Sequence, residues 1–91
     1  MPKVEIYTKS WCPHSARAKD HLDFKGVRYE EIDVTTDTVR EMEMVSRSGR
    51  HTVPQIFIGD QHVGGNDDLL AADASGRLDE LLYGQEQGEA A

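Results

Sequence analysis

Two segments that alternate polar and apolar residues, Lys3-Val4-Glu5-Ile6-Tyr7-Thr8 and Val27 to Val34, stand at either end of a stretch that opens on Cys12-Pro13 and closes on Gly26. Period-two alternation with β-branched and aromatic types predicts a strand at each. Proline suits the first position of a helix and glycine its C-terminal end, which predicts a helix from Cys12-Pro13 to about Lys25. Its apolar spacing (Ala18, His21, Leu22, Lys25) is only fair, so the N-terminal signal carries the assignment. Two strands joined by a helix make a βαβ unit, whose strands are parallel and whose crossover is right-handed.

The remainder extends that unit. Thr35–Asp37 caps a second expected helix, Thr38 to Ser48, with Val39, Met42 and Val45 facing inward. Thr52 to Ile58, the two-residue connection Gly59-Asp60, and Gln61 to Gly64 predict a β-hairpin. Gly64-Gly65 is a corner, Asn66 or Asp67 caps a third helix to about Ala74, and Ser75-Gly76 breaks it. Arg77 to Leu82 predicts a short last helix, and 83–91 a frayed polar tail. The order β-α-β-α-β-β-α-α predicts an α/β thioredoxin fold: one domain over 1–91, with a four-stranded mixed sheet and helices on both faces.

Charge excludes several functions. The 91 residues carry a net charge of −7, and residues 51–91 contain Arg77 as their only base. Phosphate contacts need Lys and Arg, so nucleic acid and anionic lipid surfaces are not expected partners. No apolar run approaches the roughly 20 residues of a membrane helix. The N-terminus has no apolar core of a signal peptide, so a cytoplasmic location is expected. The single cysteine, Cys12, forms no internal disulfide; it is either inert packing or a reactive thiol. Its place before Pro13, at a helix N-terminus, favours the second. Unpaired backbone N–H groups and the helix dipole stabilise a thiolate there, lowering a thiol from about 8.5 into a range of roughly 3.5–7.5. Lys9 adds positive charge nearby. The histidines His21, His51 and His62 show no metal-ligand spacing, and no metal site is expected.

Four segments together resemble the short bacterial class I glutaredoxins: Val4–Lys9, Trp11-Cys12-Pro13-His14-Ser15, Thr52–Ile58 and Gly64–Leu69. The likeness spans roughly 3–82. That family usually reads Cys-Pro-Tyr-Cys; here His14 replaces the tyrosine and Ser15 the second cysteine. The resemblance implies a cis bond before Pro54 in Thr52-Val53-Pro54, which frees the Val53 backbone to pair with the cysteine of glutathione. It places Lys9 and Arg40 at the glycine carboxylate of glutathione. It places Gly65, Asn66 and Asp67 at the γ-glutamyl end, with helix N–H groups on the carboxylate and Asp67 on the ammonium. His14 either favours the thiolate or covers the ligand as a tyrosine would. Pro13 and Ser15 support the site, Ser15 as a hydroxyl one turn from the sulfur.

With no second thiol, the implied chemistry is a one-thiol cycle. Cys12 takes glutathione from a protein-glutathione mixed disulfide, and a second glutathione releases it as oxidised glutathione. The expected partners are glutathione, as co-substrate, and glutathionylated proteins, with the chain a monomer. The competing expectation is a glutathione-assisted [2Fe–2S] cluster shared by a dimer. The usual pattern for that, Cys-Gly-Phe-Ser with a longer loop from the lysine, differs from Ser10-Trp11-Cys12-Pro13.

Overall fold

The computed structural model describes the backbone of residues 1–90 and the side chains of residues 1–84. Its elements run β1 (Val4–Thr8), α1 (Pro13–Phe24), β2 (Glu30–Asp33), α2 (Thr38–Ser48), β3 (Gln55–Ile58), β4 (Gln61–Gly64), α3 (Asn66–Ala74) and α4 (Arg77–Ala90). The sheet order is β2-β1-β3-β4. β1 and β2 are parallel, and β3 is antiparallel to both of its neighbours. This is the expected thioredoxin fold.

The two central strands are buried along nearly their whole length, Thr8 and Gln55 included, because both of their faces are covered. Val4 and Ile6 of β1, with Ile56 and Ile58 of β3, pack against Ala18 and Leu22 of α1, Leu69 of α3 and Leu78 of α4. On the opposite face Tyr7 and Phe57 meet edge-on, with ring centroids 5.9 Å apart, and pack with Ile32, Val34 and Met44 of α2. Arg47 of α2 closes that face. Its guanidinium lies 4.0 Å from the Phe57 ring, donates to the Tyr7 hydroxyl at 2.8 Å and pairs with Glu5 at 3.1 Å.

Several boundaries and faces differ from the sequence reading. β2 begins at Glu30, not Val27, because Gly26 takes a left-handed φ of 71° and the Val27 N–H is still closing α1 onto Leu22 O. β3 begins at Gln55, not Thr52. On α2 the inward residues are Met44 and, in part, Val45; Val39 and Met42 are 73% and 71% exposed. Both faces of that helix carry apolar residues, so spacing alone could not choose between them. The N-cap of α3 is Gly65, not Asn66 or Asp67. α4 continues to Ala90, past the end expected at Leu82, through residues dominated by the helix formers Glu, Gln and Ala. The tail expected to fray from Tyr83 is thus helical backbone as far as Ala90, and Ala91 lies outside the described residues. No described helix is long and apolar enough to cross a membrane.

Candidate active site

Sheet register gathers the site. Tyr7 pairs with Gln55, so the outgoing end of β1 and the incoming end of β3 lie at one edge of the sheet. Gly64 pairs with Ile56, which brings the end of β4 and the start of α3 to the same edge. Three segments meet there: the β1–α1 loop with Cys12, the α2–β3 loop with Thr52-Val53-Pro54, and the first turn of α3.

Cys12 is the N-cap residue of α1, with Pro13 following it in the first turn. A turn from Cys12 N–H to Lys9 O (3.1 Å) folds it back over the end of β1. The side chain is buried at 8% exposure, and Sγ lies 3.7 Å from the carbonyl oxygen of Val53, to which the thiol donates. Burial pushes the Cys12 thiol up, but the Ser15 backbone N–H and hydroxyl, the His14 N–H and the Lys9 charge outweigh it; the net pKa lies below the usual thiol value. Ser15 is 1% exposed, so its hydroxyl points into the site rather than to solvent.

The Val53–Pro54 bond is cis, as expected. Val53 lies outside β3, so its backbone is not held by the ladder of its own sheet.

Beside the cysteine runs an open groove of about 220 Å³. Of the residues singled out in the sequence, His14, Thr52, Val53, Pro54, Gly65, Asn66 and Asp67 line it. Lys9 and Arg40 do not. The Lys9 ammonium pairs with Glu41 at 3.0 Å and sits 5.8 Å from the Trp11 ring centroid, and the Arg40 Nε pairs with Glu43 at 3.2 Å.

Two lining residues were not anticipated as ligand contacts, Arg50 and Asp68. Asp68, the acid next to Asp67, is taken up by the corner itself: its carboxylate accepts the N–H of the N-cap residue Gly65 at 2.9 Å and pairs with Arg50 at 3.0 Å. The Gly65 N–H, followed by Arg50, holds the Asp68 carboxyl below the usual carboxylate range. This leaves Asp67, exposed in the first turn of α3, as the acid with no side-chain partner among the described residues. The spacing of Asp68 three residues after Gly65 was the available signal, since an acid at that position reaches back to the cap N–H. Nothing local marks Arg50, whose partner lies 18 residues away. Asn66 is 9% exposed, and its Oδ1 is buried with no hydrogen-bond partner among the described residues.

The N-terminal turn of α3, the exposed acid Asp67, and the Val53 backbone outside the β3 ladder beside a low-pKa thiol suit capture of an extended, zwitterionic thiol. Comparison with known proteins agrees with that chemistry. Residues 4–63 match the family model described as Glutaredoxin. The chain is 55% identical over 82 residues to Glutaredoxin 3 of Escherichia coli strain K12, covering 90% of this chain and 99% of that protein. It is similar to a glutaredoxin from Brucella melitensis solved in solution, with TM-score 0.79 and 52% identity over 90% of this chain and 89% of the other. A buckwheat glutaredoxin crystallised with glutathione superimposes with TM-score 0.81 and 27% identity, over 89% of this chain and 76% of that one.

Proposed function

The chain belongs to the glutaredoxin family, and on that premise we propose that it is a glutathione-dependent thiol-disulfide oxidoreductase working through one thiol. Its task is to remove glutathione from protein mixed disulfides, acting as a monomer in the cytoplasm. The observation that carries the reading is Cys12, the only cysteine of the chain, at the start of α1 with its sulfur 3.7 Å from the Val53 carbonyl.

The cycle has two exchanges. The Cys12 thiolate attacks the glutathione sulfur of a protein-glutathione disulfide. The old S–S bond breaks, the protein sulfur leaves as a thiolate and takes a proton from solvent, and glutathione remains on Cys12. A second glutathione thiolate then attacks the glutathione sulfur of that adduct, releasing the Cys12 thiolate and oxidised glutathione. A low pKa helps both steps, because it maintains the attacking thiolate and makes Cys12 a good leaving group.

The Val53 N–H and C=O pair with the cysteine residue of glutathione. The first turn of α3 takes the γ-glutamyl carboxylate and Asp67 its ammonium, with Gly65 and Asn66 shaping that end. Thr52, Pro54 and His14 line the groove between. Lys9 and Arg40 reach the glycine carboxylate by exchanging Glu41 and Glu43 for the ligand, an exchange eased by the partial exposure of both pairs.

A cluster-bridging role would need a second chain and two external thiols, since each chain supplies one cysteine.

The test is an intact mass after exposure to oxidised glutathione, followed by turnover of a glutathionylated peptide with reduced glutathione. One adduct of about 305 Da (one glutathione less two hydrogens) and turnover that vanishes in Cys12→Ala are expected. An unmodified protein with no turnover sinks the reading.

A further inference from the structure

Gln55 is completely buried at the start of β3, at 0% exposure, and its carboxamide is fully engaged. Nε2 donates to the Thr52 carbonyl oxygen at 3.0 Å and to the Thr52 hydroxyl at 3.2 Å. The amide oxygen therefore faces the other way, where it meets His62 Nε2 at 2.7 Å. Two facing acceptors would repel, so His62 Nε2 carries a proton and donates. His62 sits on the edge strand β4 opposite Phe57, with the rings stacked at 4.9 Å between centroids. Burial, then the charge of Arg50, pushes the His62 pKa below the ordinary histidine value, with Arg47 adding to this and Asp68 opposing it. The ring is thus a neutral imidazole with one N–H, and that N–H is spent on Gln55.

We propose that His62 is a positioning residue for the glutathione groove: through the buried Gln55 amide it holds Thr52 and thereby sets the Val53 backbone against which the ligand pairs. The inference rests on the reading of that groove as the glutathione site. Gln55 has no solvent to turn to. Without the His62 donor its oxygen is left unsatisfied, and the amide rotates toward other partners, releasing both Thr52 oxygens. The loss falls on ligand binding and not on the thiolate, because this chain of contacts meets Cys12 only through the Val53 carbonyl, an acceptor that is not among the donors and charges lowering the thiol's pKa.

Two variants separate the donor from the ring. His62→Phe keeps an aromatic ring over Phe57 and removes the N–H; His62→Gln keeps an N–H and removes the ring. With a glutathionylated peptide, His62→Phe is expected to raise KM about three- to tenfold, the size of one lost hydrogen bond. kcat and the ultraviolet thiolate titration of Cys12 stay unchanged, and His62→Gln stays close to the parent. An unchanged KM in His62→Phe, or a shift of the thiolate titration along with KM, overturns the proposal. Nitrogen NMR of the unliganded protein gives an independent answer: His62 is expected as the Nε2–H tautomer, and an Nδ1–H tautomer refutes the relay. If the parent protein turns over no glutathione substrate, the functional reading falls, while the tautomer and the Thr52 amide shift in His62→Phe still decide whether the relay exists.

Discussion

At the scale of single residues the thiol is governed by its neighbours within one turn. Burial alone would raise the Cys12 pKa, and the net lowering comes from the donors of Ser15 and His14 with Lys9 behind them. The rate of alkylation against pH should therefore have its midpoint below the ordinary thiol value of about 8.5. Ser15→Ala removes one donor to the charged form, so that midpoint should move up and turnover at slightly acid pH should fall. An unmoved midpoint would mean that the Ser15 hydroxyl does not act on the sulfur. The one-turn relation between Cys12 and Ser15 was legible in the sequence, since it follows from helix geometry alone. The engagement of Lys9 with Glu41 and of Arg40 with Glu43 was not, because long side chains choose partners only once helices and loops are docked.

At the scale of elements, the corner between β4 and α3 is a built unit. Gly64 has a φ of 118°, and a Cβ there would lie 2.3 Å from Asp68 Oδ2. That oxygen is the one that caps Gly65 N–H and pairs with Arg50. Asp68→Ala should cost about 1 kcal/mol in urea unfolding, the usual size of a lost cap, and little of it from the solvent-exposed ion pair. Gly64→Ala should cost more, about 1–3 kcal/mol, since it strains the backbone and displaces the same carboxylate. It should also weaken ligand capture at α3. If Gly64→Ala were as stable as the parent, the corner would be far softer than its geometry implies. The element order was legible because each element carries a local signature of two-fold or 3.6-fold spacing and a terminal Pro or Gly. The inward face of α2 was not, because apolar residues on both of its faces leave the choice to docking, whereas the α3 cap, Gly65 rather than Asn66 or Asp67, had a local signal in the acid three residues on.

For the whole molecule, a side-chain network ties α1 to α3 and α4. Asp73 receives His21 at 2.6 Å and Lys25 at 2.8 Å, and Lys25 also reaches Asp79 at 3.2 Å. Lys25, then His21, lowers the Asp73 pKa below the usual carboxylate value. A depressed carboxylate contributes stability above its unfolded value of about 3.9 and loses it as pH falls through the folded value. Stability of the parent should therefore drop more steeply below about pH 4 than that of Asp73→Asn, with a difference near neutral pH of about 1 kcal/mol. Parallel curves would remove the network from the account of stability. What the sequence determined by itself was the set of elements, their order, the placement of the one cysteine at a helix start, and the Thr-Val-Pro and Gly-Gly-Asn-Asp segments, since all of these rest on neighbours a few residues apart. What only the tertiary structure decided was how those segments meet. The registers of β1 with β3 and of β3 with β4 bring Cys12 to Val53, Arg50 to Asp68 and His62 to Gln55, contacts across gaps in the chain that no local pattern encodes.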